Sequence, residues 1–184
     1  ALNALSYDMV KAISAALRDW ETDDAVQVIV IRARGRAFCA GGDLLEVHTR
    51  GTSGDPIYEF FADEYRLNAW LGVYPKPIVS LIDGIVMGGG VGISIGASHL
   101  VMSDRALWAM PETGIGLFPD VGGSWFLPRL EGGLGAYLAL TGHRMSGIDC
   151  HYAGIAHHLV PPAAMGALQQ ALLAIGASNL GEEA

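Results

Sequence analysis

Apolar positions change their period twice within the first forty residues, and each change marks an element. Leu5, Met9, Ile13, Ala16, Leu17 and Trp20 recur at helical spacing until charge breaks the pattern between Glu21 and Asp24, which predicts an amphipathic helix over about 5–20. Val26 to Ala33 is then β-branched and nearly unbroken, the pattern of a strand covered on both faces in an α/β core. A loop from Gly35 to Asp43 follows at once. Ile57, Phe60, Phe61, Tyr65 and Leu67 fall mostly on one face of a second helix, from Asp55 to Trp70, which must stop before Pro75 and Pro77 because proline disfavours helix at the residue before it.

The alternation returns downstream. Ile78 to Ile82 reads as a second buried strand, Asp83-Gly84 turns the chain, and Gly88-Gly89-Gly90 leads into a small-residue helix at about 89–98 that can pack closely against a neighbouring backbone. Leu100 to Met102 and Ala106 to Met110 are expected as two short strands around Ser103-Asp104-Arg105. Beyond Pro111 the pattern predicts a loop to Asp120, short helices around 121–127 and about 133–141, and a last strand within 155–160. Pro161-Pro162 then starts a helix that runs to Ile175, with a polar, frayed tail from Ser178 to Ala184. Strand, glycine loop, helix and strand thus repeat loosely, without a solenoid period, and the fold class is α/β.

With 184 residues, 51% hydrophobic and 16% charged, the chain can bury a sizeable core as one compact domain or a large piece of one. A net charge of -8 without a basic stripe argues against nucleic acid or an anionic membrane as the partner, since both would be repelled. Cys39 and Cys150 are too few for a disulfide framework and sit in no metal-ligand spacing, which fits a reducing compartment. The apolar stretch from Ile78 to Leu100 is broken by Asp83, His99, glycines and serines, short of the roughly twenty apolar residues a membrane span needs. Asp8, Lys11, Arg18 and Asp19 interrupt any signal-peptide pattern at the start.

Candidate chemistry lies in the glycine loops that follow buried strands. Gly41-Gly42 and Gly88-Gly89-Gly90 let main chain approach a ligand without Cβ interference, and two N–H groups converging from separate loops make an oxyanion hole; tight turns and close packing would use the same glycines. Glu112 and Asp120 sit in a segment otherwise apolar and glycine-rich, where desolvation can push paired carboxylates apart in pKa. Taken singly, Asp120 could be a helix N-cap and Glu112 a solvated loop carboxylate. Gly92-Ile93-Ser94-Ile95-Gly96 matches the G-x-S-x-G expression of serine hydrolases, but Ser94 falls inside a segment already turned by the glycine triplet, so it reads as a helix-packing residue. Arg32, Arg34 and Arg36 share a face that could meet phosphates or simply be solvated, and His157-His158 reads as a strand end.

Three separated motifs, Arg36-Ala37-Phe38-Cys39-Ala40-Gly41-Gly42-Asp43, Asp83-Gly84-Ile85-Val86-Met87-Gly88-Gly89-Gly90 and Met110-Pro111-Glu112, resemble the crotonase (enoyl-CoA hydratase/isomerase) superfamily in order and spacing. The run from Met110 to Leu130 resembles its 3-hydroxyisobutyryl-CoA hydrolase branch, and the likeness extends from Ala1 to about Pro162. The resemblance implies a crotonase-like spiral of repeated β-β-α units that binds acyl-CoA thioesters, with no metal and no redox cofactor, coenzyme A being part of the substrate. It carries the oxyanion hole to the N–H groups of Gly42 and Gly89, the catalytic acids to Glu112 and Asp120, and a substrate-binding glutamate to Glu64.

One departure separates the branches. Hydratases resembling this chain carry a second glutamate at the position of Gly92, so the resemblance implies thioester hydrolysis, with a hydratase or isomerase using Glu112 alone, or an idle acyl-CoA binding protein, as alternatives. On the same likeness, residues 1–184 form a single crotonase-like domain short of an N-terminal strand and of part of the C-terminal helical region. A homo-oligomer in bacterial cytoplasm or the mitochondrial matrix is expected.

Overall fold

The computed structural model describes residues 1–55 and 57–178. In chain order these form α1 (Tyr7–Glu21), β1 (Ile29–Arg32), β2 (Ala37–Cys39), α2 (Leu44–Thr52), α3 (Tyr58–Leu71), β3 (Ile78–Ile82), β4 (Ile85–Met87), α4 (Gly89–Ile95), β5 (His99–Met102) and β6 (Leu107–Ala109). They continue through α5 (Gly123–Phe126), α6 (Leu134–Thr141), β7 (Met145–Ser146), α7 (Gly147–Tyr152), β8 (His158–Leu159) and α8 (Pro162–Ser178). The tail expected after Ser178 lies outside the described residues.

From β1 to β6, successive strands go to alternate sheets. One sheet has the order β1-β3-β5-β8, all parallel; the other has β2-β4-β6-β7, parallel except for the last pair. Up to β6, each turn of the chain adds one strand to each sheet before a helix returns it, a β-β-α spiral; β7 then joins the second sheet beside β6 and β8 the first. The central strand β3 shows why it is apolar at every position but Ser80. Ile78 and Ile82 of β3 face the main core with Trp108 and Leu100, while Val79 and Leu81 face a second cluster closed by Met165, Leu168 and Leu172 of α8. Alternate side chains of a strand point to opposite faces, so a strand covered on both is apolar on each, with Ser80 the one buried polar residue of β3.

Several sequence expectations need correction. β1 lies at the edge of its sheet, pairs with β3 alone, and buries only Ile29 completely, so it is not the fully covered strand its β-branched run implied. The expected loop of residues 35–43 contains β2, whose three residues are all buried. α2 was not expected at all. Its signal is local: the Asp43 carboxylate accepts from the Leu45 and Glu46 amides, capping the first turn. No helix among the described residues is long and apolar enough to cross a membrane.

Candidate active site

Three loops meet at one end of the second sheet. β2, β4 and β6 are parallel neighbours, and they end at Cys39, Met87 and Ala109. Gly41-Gly42, Gly88-Gly89 and Pro111-Glu112 follow those ends directly, so segments far apart in sequence emerge side by side. A cleft of about 270 Å³ opens there, lined by Gly42, Gly89, Glu64, Glu112 and Asp120 together, with Phe60, Phe61, Ile115, Leu117 and Val121 among its apolar walls.

Both glycine amides are free to meet a ligand. Leu5 donates its N–H to the Gly41 carbonyl at 2.7 Å and accepts from the Asp43 N–H at 2.9 Å, which leaves the Gly42 N–H on the opposite side of this extended segment. Gly89 is the first residue of α4, where a helix has no carbonyl to offer its amide. Neither amide has a hydrogen-bond partner among the described residues. They are also neighbours: a Cβ on Gly89 would stand 3.2 Å from the Gly42 nitrogen and 2.5 Å from Glu64 Oε1, so any larger residue would fill the space between amide and acid.

The carboxylates differ in their surroundings. Glu64, on the inner face of α3, is 2% exposed, and Glu112, in the 3₁₀ turn Glu112–Ile115, is 6% exposed. Glu64 Oε1 and Glu112 Oε2 are buried without a hydrogen-bond partner. Burial pushes Glu64 up to about 8, aided by the charges of Asp120 and Glu112. Burial likewise pushes Glu112 up to about 7; its own backbone amide works against this and the Asp120 charge adds to it. Asp120 is half-buried, and its Oδ2 accepts a 2.5 Å hydrogen bond from the Tyr65 hydroxyl. Burial and that bond hold the Tyr65 phenol well above its ordinary pKa, as a neutral donor.

The remaining sequence candidates lie elsewhere. Ser94 is buried and turns its hydroxyl back onto the Gly90 and Val91 carbonyls at 2.8 and 3.1 Å, so it packs a helix and forms no nucleophile elbow. Asp120 caps no helix, because α5 starts at Gly123 with Gly122 at its N-cap position and no side-chain cap. The Arg32 guanidinium bonds Gln169 of α8, and Arg34 and Arg36 are exposed. Cys39 and Cys150 are free and buried, and burial raises both thiols. The roles of Tyr65 and Asn68 escaped the sequence reading. Helical spacing puts Asn68 on the same face as Glu64, and both polar atoms of its buried carboxamide lack a partner.

Parallel sheets wound as a β-β-α spiral, with free glycine amides and acids at the strand ends, define a crotonase-type protein. A family model described as enoyl-CoA hydratase/isomerase matches residues 1–183, and the chain belongs to that family. It is 51% identical over 177 residues to 3-hydroxyisobutyryl-CoA hydrolase, mitochondrial, of Xenopus tropicalis, which covers 95% of this chain and 46% of that protein. A crystal structure of an enoyl-CoA hydratase from Rhodobacter sphaeroides 2.4.1 superposes with a TM-score of 0.90 at 48% identity, over 94% of this chain and 52% of the other. A carnitinyl-CoA dehydratase from Mycobacterium thermoresistibile gives a TM-score of 0.89 at 43% identity, over 96% and 52%. The chain spans about half the length of these relatives.

Proposed function

We propose that this protein hydrolyses the thioester of a short 3-hydroxyacyl-CoA such as 3-hydroxyisobutyryl-CoA. The thioester oxygen sits between the Gly42 and Gly89 N–H groups, which stabilise the negative charge it gains as the carbonyl turns tetrahedral. Glu112 attacks that carbonyl or draws a proton from the water that does. Its pKa of about 7 suits it to the work, since a base is most effective when its pKa lies near the working pH. Asp120, held by Tyr65, orients the substrate hydroxyl and assists proton transfer. The C–S bond breaks and coenzyme A leaves as a thiol; where Glu112 is the nucleophile, water then cleaves the anhydride it has formed, and by either route one water is consumed and the acyl group leaves as a carboxylic acid. Glu64, protonated through most of the neutral range, offers a hydrogen bond from the wall of the pocket. The reaction in this form needs no metal and no redox cofactor.

The observation that carries this reading is the crowding at Gly92. A Cβ there would stand 2.6 Å from Asn68 Nδ2 and 2.7 Å from Val121 Cβ, which leaves no room for a second acid from that position. Addition of water across a double bond by two glutamates is therefore disfavoured, although the solved relatives are named hydratase and dehydratase. The test is to supply purified protein with 3-hydroxyisobutyryl-CoA and with crotonyl-CoA, following free thiol and enoyl absorbance. Thiol release from the first alone supports hydrolysis. Loss of enoyl absorbance without thiol release selects a hydratase, and coenzyme A binding with neither signal selects an idle binder. Of the expected compartments, the mitochondrion is the one named in the curated relatives, and a homo-oligomer is testable by light scattering.

A further inference from the structure

Val121 has a φ of 41°, in the left-handed region. A β-branched residue stays there only when its surroundings enforce it, at a cost that glycine would not pay. The side chain is 4% exposed, and what holds it is a notch over α4. Its Cβ lies 2.7 Å from the point where a Cβ on Gly92 would be, so only glycine at 92 lets Val121 seat, with Asn68 closing the other side. The strained residue follows Asp120 directly. Beyond it Gly122 is also left-handed, with φ 91°, and the Gly123 N–H closes a turn on the Asp120 carbonyl at 2.6 Å. The Asp120 backbone is thus clamped from its C-terminal side, while Tyr65 meets its carboxylate from across the cleft.

We propose that Val121 is a positioning residue: seated in the notch that Gly92 leaves open, it aims the Asp120 carboxylate into the cleft. Gly92 then serves as the socket for this peg besides lacking an acid of its own. The inference rests on Asp120 being a working acid of the thioesterase proposed above, and it predicts coupling between two residues that touch no reacting atom.

The test compares Val121→Ala, Val121→Gly, Gly92→Ala and the double Gly92→Ala/Val121→Gly with Asp120→Asn, measuring melting temperature, kcat, KM and the pH profile of kcat. Losing the peg should lower kcat by about tenfold to a hundredfold, the scale of a misplaced catalytic group, with a smaller change in KM. Withdrawing the Asp120 charge should also move the acid limb set by Glu112 to lower pH, in the direction that Asp120→Asn moves it. Gly92→Ala should reproduce both effects, and the double variant should be no worse than Val121→Gly, because the alanine no longer meets a peg. Should Gly92→Ala fail to fold, the two Val121 variants carry the test. A folded Val121 variant with parental kcat and an unmoved limb overturns the proposal, even with a lowered melting temperature, because packing alone would then be its role. If Asp120→Asn is inactive while the Val121 variants are normal, the proposal fails and the thioesterase reading stands; if Asp120→Asn is fully active, the assigned role of Asp120 and the proposal fail together.

Discussion

Two of the places where titratable side chains gather in this molecule are built on opposite terms. Around the ends of β5 and β8, His99 and His158 approach with ring nitrogens 3.2 Å apart, His157 Nδ1 accepts the Leu100 N–H at 2.9 Å, and His151 Nδ1 meets the Ala156 carbonyl at 3.1 Å. All four rings are exposed, yet each has a partner. In the cleft, Glu64 and Glu112 are shut away from water and each keeps one oxygen unpaired. Folding satisfies the histidines and leaves the carboxylates wanting. A buried polar group without a partner costs on the order of 1–3 kcal/mol, so the fold sacrifices stability at the end where a substrate could complete the bonds.

The contrast breaks first at Glu112. Glu112→Gln should lower thioester hydrolysis by about 10²–10⁴-fold, measured as free thiol, with no loss of melting temperature, because the neutral amide avoids a buried charge. Equal loss of fold and activity would mean that the residue is structural.

Glu64 sharpens the energetic side. Its folded pKa of about 8 lies above its ordinary 4.5, so the folded state holds the proton more tightly than the unfolded one. The stability it contributes is fully present below about pH 4.5 and is lost as pH rises through about 8. Glu64→Gln should therefore match the parent in urea unfolding near about pH 4.5 and exceed it at high pH by on the order of 1–3 kcal/mol. A pH-independent difference would deny the burial effect.

Tyr65→Phe removes the hydroxyl from Asp120 and leaves the ring. About a tenfold fall in kcat is expected, the scale of one charge-assisted hydrogen bond. The smallest effect is at the histidine end. His157 sits below its ordinary pKa, first because of partial burial and then because of His158 and His99, so its contribution to stability is present above its unfolded value of about 6.5 and is lost as pH falls from there through its lower folded value. His157→Asn, which keeps an acceptor for the Leu100 amide, should flatten the acid-side melting curve by a degree or so and leave hydrolysis unchanged, roughly as expected for an exposed group.

What was legible in the sequence follows from the length of each element. The helical period of Leu5 to Trp20 and the unbroken run from Ile78 to Ile82 appear as α1 and β3 within two residues at each end. β2 and β4, three residues each, are too short to show a period, although they carry the glycine loops. The glycines themselves could be read because few residues other than glycine suit such turns, and Glu112 and Asp120 because carboxylates stand out in an apolar segment. Glu64 came only from a family resemblance, since on α3 it reads as one more polar position. Tyr65 bonds Asp120 across 55 residues, and Val121 seats on Gly92 across about half that gap, so neither contact leaves a local trace.

The winding of the chain has one further outcome. Since the ends of β2, β4 and β6 each deliver a loop to the same rim, the site draws its groups from three separate circuits, the last of which carries both Glu112 and Asp120. Proteins named hydratase, dehydratase and hydrolase are all similar to this chain, as a rim assembled from separate loops on one scaffold would allow.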